Sequence, residues 1–361
     1  MTDESYIKLT LEIAKKGSGY VSPNPLVGCL LVKESKIISA GYHEKFGEAH
    51  AEINAINKAG ESLNGATLYV NLEPCSHHGK TPPCVDKIIE SGIKRVVIGT
   101  LDVNPLVSGQ GVQKLLNNGI EVKVGVLEKE CTELNRFFFK YIKTQIPYVT
   151  LKTAQTLDGK IADGYGNSKW ITSEPARQHV HLMRSQYDAV LVGRKTIDVD
   201  NPSLTVRLIE GRNPIRIVLD SSFKIKLNSE VLKCTEANTI IVTSIKSKLL
   251  LNKIKKLKSF GVRLLFVNTN KEGKINLKSA LKKIGELGIA SILIEGGSEV
   301  FSSFVKQNLF DEIITFISPK LLGNGVSVFG DLDIRNINKA KLLRFNTIEK
   351  IGDDLLVELR R

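Results

Sequence analysis

The sequence predicts an α/β protein of two domains, and three observations carry this prediction. The chain has 361 residues, more than one ordinary domain usually contains. Helix and strand signals alternate up to about residue 145, as they do when helices pack on one sheet. After that point the pattern restarts, and a second α/β series continues to the C-terminus. We therefore expect domains at 1–145 and 146–361.

The first series pairs helices with short buried strands. Its helices show apolar residues at helical spacing or end at a glycine, and its strands are apolar runs. In chain order we predict a helix near the start (Tyr6, Ile7, Ile13, Ala14), a strand at 26–32, a helix at 50–59, a strand at 66–73, a helix at 84–91 and a strand at 94–100.

The second series begins at Pro147 and contains more strands than the first. Helical stretches separate the earlier strands, and the C-terminal part is a strand-rich tail. We predict strands at 148–154, 188–193, 214–220, 239–243, 262–267, 290–297, 312–318, 341–346 and 354–360. No internal repeat interrupts this pattern.

Composition predicts a soluble, cytoplasmic protein without a membrane segment. Hydrophobic residues make up 42% and charged residues 25% of the chain. The apolar run at 26–32 is far shorter than the ~20 residues of a membrane span, and the N-terminus has no apolar signal core. The five cysteines are odd in number and scattered, which is unlike a disulfide framework.

The net charge of +13 leaves two interpretations of the partners. It could attract nucleic acid, but no basic patch interleaved with aromatic residues is present. The lysines are spread out, as on solvated helix faces. Their positive electrostatic field would also favour a phosphorylated substrate and an anionic cofactor. We expect small-molecule partners, neither nucleic acid nor membrane, and leave a homo-oligomer open.

A catalytic metal site is predicted from His50, Cys75 and Cys84. Three nitrogen and sulfur donors leave one tetrahedral position of zinc open, as in catalytic sites. His50 and Cys84 both stand where a predicted helix begins, so two helix dipoles favour a thiolate there. Glu52 can move a proton from the attacking water to a ring nitrogen and then to departing ammonia. This pattern indicates a nucleobase deaminase.

The cysteine spacing departs from the short C-x-x-C of that class, because nine positions separate Cys75 from Cys84. The site forms only if the intervening SHHGKTPP loops out; the alternatives are a closed structural site or merely buried cysteines. The segment Gly79-Lys80-Thr81 resembles the end of a phosphate-binding P-loop, but Pro74 occupies the position of its first glycine. Lys80 is instead a candidate partner of a substrate phosphate.

The other histidines have less specific predictions. His43 precedes the metal helix and is a candidate pocket residue. His77 and His78 are spare metal ligands, substrate contacts or surface residues. His179 and His181 lie on a predicted helix and are expected to be surface or packing residues.

The second half lacks the G-x-G-x-x-G of a standard dinucleotide fold. However, the segment 295–298 (EGGS) closes an apolar strand and opens a helix, where free N–H groups suit a phosphate. The alternative is a tight turn without a ligand.

Motifs in both halves, in one order along the chain, resemble a single family. The first half carries VSPNPLVGCLLV, HAEINAI and VNLEPCSHHGKTPPC; the second carries TLDGKIA, SKWITS, DAVLVGRKTIDVDNPSLTVR, IRIVLDSS, ILIEGGSEV and SPKLLGNG. Together they resemble the bifunctional deaminase/reductase family of riboflavin biosynthesis over essentially the whole chain. The long insert between the two cysteines is characteristic of this family.

The resemblance implies a cytidine-deaminase-like zinc domain followed by a dihydrofolate-reductase-like domain. The first would use Zn²⁺ to deaminate 2,5-diamino-6-(5-phosphoribosylamino)pyrimidin-4-one. The second would use NADPH to reduce 5-amino-6-(5-phosphoribosylamino)uracil to the ribityl product.

Matching positions one by one, the resemblance also implies the contacts in the second domain. Cofactor contacts fall on Ala154, Trp170, Thr196, Asp200, Ser221, Gly297, Ser298, Glu299, Val300, Phe301, Ser302 and Ser303. Substrate contacts fall on Ser168, Arg184, Leu204, Arg207 and Glu295. Arg184 and Arg207 are expected to anchor the phosphate, because guanidinium binds phosphate bidentately. Lys152 is a further pocket candidate, and Trp170 either packs or contacts the cofactor.

Two rival hypotheses remain from the residues. A tRNA or free-nucleoside deaminase would keep the zinc chemistry, but it leaves over 200 residues after the first domain unexplained. A zinc-stabilised nucleic-acid-binding protein would need a closed site of four ligands, whereas His50, Cys75 and Cys84 leave a position open.

Overall fold

The computed structural model describes residues 1–77, 82–104, 108–233 and 235–361. They form two compact units, Met1–Gln145 and Ile146–Arg361. No helix in these described ranges combines the length and apolar character that crossing a bilayer requires.

The first unit is a mixed sheet with helical connections. Its strands are β1 (Gly28–Lys33), β2 (Lys36–Tyr42), β3 (Thr67–Leu72), β4 (Arg95–Thr100) and β5 (Glu121–Val124). Its α-helices are α1 (Asp3–Ala14), α2 (Ala51–Lys58), α3 (Cys84–Glu90), α4 (Gln110–Asn117), α5 (Glu128–Leu134) and α6 (Arg136–Thr144). The sheet order is β2-β1-β3-β4-β5; β1 pairs antiparallel with β2 and β3, and the remaining pairs are parallel.

The strands predicted from apolar runs are the central ones. β1, β3 and β4 are almost completely buried. A strand that is covered on both faces needs apolar residues at nearly every position, which gives the continuous apolar runs. The edge strands β2 and β5 were not predicted, because most of their residues are partly or fully exposed and carry little apolar pattern.

A glycine lets α2 lie directly on β2. A Cβ atom at Gly41 would stand 2.4 Å from the backbone nitrogen of Ala55 and 2.5 Å from the carbonyl oxygen of Ala51. No other residue fits that approach, and it sets the position of the helix whose first turn carries Glu52.

The second unit has a larger sheet in the order β11-β10-β9-β8-β12-β6-β13-β16-β15. Its strands are β6 (Tyr148–Thr156), β7 (Lys160–Asp163), β8 (Ala189–Gly193), β9 (Ile215–Asp220), β10 (Thr239–Ser244), β11 (Arg263–Val267), β12 (Ser291–Gly296), β13 (Glu312–Ser318), β14 (Gly325–Ser327), β15 (Arg344–Ile351) and β16 (Asp354–Arg360). Its α-helices are α7 (Glu174–Gln186), α8 (Arg194–Asp200), α9 (Glu230–Lys233), α10 (Leu251–Ser259), α11 (Leu277–Gly285) and α12 (Ser298–Lys306).

The large sheet is parallel from β11 to β13 and antiparallel at its C-terminal edge, where β16 and β15 join β13. β7 pairs separately with β14. Along β8, Ala189 and Leu191 enter one apolar cluster, whereas Val190 and Val192 enter another. Successive side chains of a strand point to opposite faces, so the sheet has an apolar core on both sides.

Candidate active sites

Three potential metal ligands converge in the first unit. The Nδ1 atom of His50 lies 3.5 Å from the Sγ of Cys75 and 3.3 Å from the Sγ of Cys84. The three donor atoms all lie within 4.8 Å of one another. One imidazole and two thiols at this separation fit a tetrahedral zinc ion with a fourth position open.

Helix starts place two of these donors. His50 is the N-cap residue of α2, and Cys84 is the first residue of α3. The backbone N–H of Cys84 donates to the Cys75 sulfur at 3.4 Å, while the N–H of Val85 donates to the Cys75 carbonyl at 3.2 Å. Hydrogen bonds from the Cys84 side chain and from His50 hold the pKa of Cys75 well below its usual range. The site therefore favours a thiolate, which is the form that binds metal.

Glu52 lies in the first turn of α2 and is buried beside these donors. Its Oε2 atom is buried and has no hydrogen-bond partner among the described residues. Burial raises the pKa of Glu52 to about 7, although the His50 charge opposes this rise. A carboxyl group with such a pKa can both accept and release a proton near neutral pH.

A cavity of about 360 Å³ is lined by His50, Cys75 and Glu52. The buried ring of His43 lines it, and His43 Nδ1 donates to the Ala49 carbonyl at 3.1 Å. The other ring nitrogen is therefore an acceptor, and the side-chain amide of Asn24 donates to it at 3.2 Å. Burial lowers the pKa of His43, which keeps the ring neutral.

Asn24 and Asp102 also line this cavity, and the sequence analysis did not single them out. Asp102 follows β4 at its carboxyl end, where α/β sheets place ligands, so its position was a usable signal. Burial raises the pKa of Asp102 to about 6. Glu73, after β3, accepts backbone N–H bonds that hold this loop; the donors are Asp102, Gly109, Gly111 and Val112.

The remaining candidates of the first half divide between the cavity and the undescribed part of the chain. His77 lines the cavity but is not a member of the donor group. His78 and Lys80 lie outside the described residues.

The second unit contains a cavity of about 780 Å³, and most of the predicted contacts line it. The predicted residues that it brings together are Lys152, Ala154, Ser168, Trp170, Arg184, Thr196, Asp200, Arg207, Glu295, Gly297, Ser298 and Phe301. Ser168 Oγ donates to Asp200 Oδ1 at 3.3 Å, which ties two of them together.

The centre of this cavity is a buried cluster of charges. Arg184 donates from Nε and Nη2 to the two carboxylate oxygens of Glu295 at 2.5 and 2.8 Å, and the Lys152 ammonium lies 3.9 Å from Glu295. Burial alone would raise the pKa of Glu295, yet Arg184 and then Lys152 lower it to about 2. Burial also lowers the pKa of Lys152.

These contacts bear on the two arginines that were expected to anchor phosphate. A third bond of Arg184, from Nη1 to the Thr205 carbonyl at 3.0 Å, leaves its guanidinium largely committed to the protein. Arg207 is exposed and bonds Ser203 Oγ at 3.2 Å through Nη1. Of the two, Arg207 has the guanidinium that is more available to a ligand.

The turn at Gly297 leads into α12 with a left-handed φ of 84°. A Cβ atom at Gly296 would lie 2.8 Å from Thr196 Oγ1, so a side chain at this strand end would clash with Thr196. Two neighbouring depressions, of about 480 and 550 Å³, extend from this turn. They are lined by the other predicted cofactor contacts, Ser221, Glu299, Val300, Ser302 and Ser303.

Two predicted contacts have unexpected surroundings. Leu204 is buried in an apolar cluster and is not among the residues lining these cavities. Trp170 is 61% exposed at the cavity rim, with the Arg177 guanidinium 4.5 Å from its ring centroid. The Trp170 side chain is therefore not part of the hydrophobic core.

His181 was expected to be a surface or packing residue, but it lines the larger cavity. Its Nδ1 accepts the backbone N–H of Arg207 at 3.0 Å. Its position three residues before Arg184 on one predicted helix was the available signal. His179 does not line this cavity, and its ring lies 5.8 Å from that of Phe316.

Known proteins are similar to both halves of the chain. Residues 1–100 match the cytidine and deoxycytidylate deaminase zinc-binding region, and residues 147–357 match the RibD C-terminal domain. The riboflavin biosynthesis protein RibD of Aquifex aeolicus is 50% identical over 360 residues, which cover 99% of this chain and 98% of that protein. RibD of Escherichia coli K12 is 37% identical over 373 residues, 99% of each chain.

A solved structure extends the similarity to the fold. A Thermotoga maritima diaminohydroxyphosphoribosylaminopyrimidine deaminase/5-amino-6-(5-phosphoribosylamino)uracil reductase is 44% identical, with a TM-score of 0.88, covering 99% of this chain and 98% of that one. These similarities confirm a cytidine-deaminase-type zinc domain followed by a reductase domain of the dihydrofolate-reductase-like class. The chain therefore belongs to the RibD family of bifunctional deaminase/reductases in riboflavin biosynthesis.

Proposed function

We propose that the first domain deaminates 2,5-diamino-6-(5-phosphoribosylamino)pyrimidin-4-one and that the second reduces the resulting 5-amino-6-(5-phosphoribosylamino)uracil. The family uses zinc in its deaminase domain and NADPH in its reductase domain. The observation that carries the proposal is the group of three donors beside the buried Oε2 of Glu52, which no described residue binds.

His50, Cys75 and Cys84 would hold the zinc ion. When bound, zinc lowers the pKa of water and so makes a nucleophile available at neutral pH. Glu52 would accept the proton that the attacking water loses and deliver it to the pyrimidine ring nitrogen. The same carboxyl group would then take the proton of the hydroxyl now on the ring carbon and pass it to the departing amine; the carbonyl forms as the C–N bond breaks and ammonia leaves.

The cavity around Glu52 supports recognition of a polar ring. The Asn24 amide donates to His43, so the Asn24 oxygen can accept a bond from an amino group of the substrate. Asp102 adds a carboxyl group whose pKa burial raises to about 6, next to the same space. Cavity groups that are matched to the ring can reject substrates lacking their partners.

The second cavity supports binding of a dinucleotide and a sugar phosphate side by side. NADPH, when bound, supplies a hydride to the sugar carbon that is reduced. The Gly297 turn and the start of α12 would hold a cofactor phosphate, with Thr196 and Ser221 nearby. Arg207 would anchor the substrate phosphate, while Glu295 and Lys152 would bind the sugar between these two ends.

A turnover experiment tests the proposal directly. The protein is incubated with the diaminopyrimidine phosphate, with and without NADPH, and ammonia and NADPH are followed. Ammonia release without NADPH, and NADPH oxidation that follows deamination, are expected. Ammonia release from nucleosides or RNA, but not from this substrate, would instead support the nucleoside-deaminase hypothesis.

We also propose that the protein works in the cytoplasm on small molecules and does not act on nucleic acid. Among the described residues, Cys29, Cys75, Cys84 and Cys131 are not in disulfides, which suits a reducing compartment and leaves Cys75 and Cys84 for a metal. The sites are concave cavities of a few hundred Å³, which is the size expected for small ligands.

A further inference from the structure

Helix α7 presents a row of polar side chains to the reductase cavity. Arg177, His181 and Arg184 follow one another at intervals of four and three residues, so they share one face of the helix, and all of them line the cavity. Arg184 is paired with Glu295, whereas His181 has no part in the function proposed above. His181 is nevertheless only 4% exposed, which is unusual for a surface histidine.

The hydrogen bond of His181 defines its protonation state. Its Nδ1 accepts the backbone N–H of Arg207 at 3.0 Å, so Nδ1 carries no proton. Burial lowers the pKa of His181 to about 4, and the cations of Arg184, Arg207 and Lys152 add to this effect while Glu295 opposes it. The ring is neutral near pH 7 and remains an acceptor.

The same helix holds the Arg207 loop at a second point. Arg184 Nη1 donates to the Thr205 carbonyl at 3.0 Å, two residues before the N–H that His181 binds. The loop also contains Leu204, whose φ angle of 57° is unfavourable for a non-glycine residue. Such a backbone keeps one conformation only when its surroundings fix it.

We propose that His181 is a positioning residue for the reductase reaction: by accepting the Arg207 N–H, it holds the Arg207 guanidinium where the substrate phosphate binds. The proposal rests on the reductase function proposed above and deepens it. The Arg207 side chain is exposed, and its Nη1 donates to Ser203 Oγ at 3.2 Å within the same loop, so the direction of the guanidinium depends on how the loop backbone is held. Pre-orientation of this kind affects the binding of the phosphate more than the hydride transfer.

The test compares His181→Leu with His181→Asn in steady-state reductase kinetics on 5-amino-6-(5-phosphoribosylamino)uracil. Loss of one neutral hydrogen bond predicts a KM about 3- to 10-fold higher for His181→Leu, with kcat and NADPH affinity nearly unchanged. Asn can place its side-chain oxygen near the position of Nδ1. The KM of His181→Asn should therefore stay close to that of the wild type. His179→Leu, on the same helix but outside the cavity, is the matched control and should leave KM unchanged.

A double-mutant cycle separates positioning from general destabilisation. In an Arg207→Ala background the guanidinium is absent, so His181→Leu should no longer change the substrate KM. An equal rise in KM with and without Arg207 would overturn the proposal, as would an unchanged KM in the single His181→Leu variant. If Arg207→Ala itself leaves KM unchanged, the phosphate assignment of the proposed function is wrong, which is a different failure.

Discussion

Arg184 and Glu295, which are 111 positions apart in the chain, form a bidentate ion pair inside the reductase domain. Their side chains are only 11% and 7% exposed. The pair joins helix α7 to the end of strand β12. The two charges of the pair therefore neutralise each other without a ligand. Removing one of the two side chains would leave the other charge buried without its partner.

The first prediction concerns this pair. Arg184→Met should lower the free energy of unfolding by about 3–5 kcal/mol, because the Glu295 carboxylate loses its main partner. The double variant Arg184→Met/Glu295→Met should be less destabilised than the sum of the two single variants. Denaturant unfolding of all the variants measures this, and additive losses would show that the pair is not energetically coupled.

The sign of the pH dependence follows from the pKa of Glu295. Folding lowers it from 4.5 to about 2. The stabilisation is therefore fully present above about pH 4.5 and is lost as the pH falls toward 2. The difference in stability between wild type and Arg184→Met should accordingly be largest above pH 4.5 and shrink in acid.

The second prediction tests the metal ligands. Cys75→Ser should lose zinc, because a hydroxyl group binds zinc far more weakly than a thiolate. Elemental analysis of the folded protein gives the metal content. His77→Ala is the matched control, since His77 lines the same cavity without joining the donor group, and it should keep about one zinc per chain. Full zinc in Cys75→Ser would refute the ligand assignment.

The third prediction separates the two activities through Glu52. Glu52→Gln should retain zinc and lose deamination by ~10²–10⁴-fold, because an amide cannot accept the proton of the attacking water. Its reduction of the deaminated substrate should remain intact, since the two units each have their own core. Ammonia release and NADPH oxidation are measured separately, with the exposed Glu61→Gln as control. Normal ammonia release, or a parallel loss of reduction, would contradict it.

The fourth prediction assigns the substrate phosphate to Arg207. Arg207→Ala should raise the KM for the phosphorylated substrate by an amount worth about 1.5–3 kcal/mol, the usual value of a charged hydrogen bond. NADPH affinity should change little. Reductase kinetics and a cofactor titration measure both, with Arg344→Ala on the exposed edge strand β15 as control. A loss confined to NADPH affinity would place Arg207 at the cofactor instead.

Local sequence patterns determined the central elements and the candidate zinc site. Long apolar runs predict β1, β3 and β4, because strands buried on both faces need apolar residues at every position. His50 as N-cap and Glu52 in the first turn belong to the start of the same helix, so their order along the chain is enough to bring both to one end of α2. The resemblance of the motifs supplied the family, the two domain types and a set of contact residues, most of which line the larger cavity.

Only the tertiary structure decided which of these residues act on one another. The pairing of Arg184 with Glu295 and the bond from Arg207 to His181 join segments far apart in the chain, and no local periodicity encodes such contacts. The same holds for the Leu204 side chain, whose burial in an apolar cluster depends on contacts with distant strands. Local propensity acts over a few neighbouring residues, whereas burial and charge pairing depend on how the whole sheet assembles its strands.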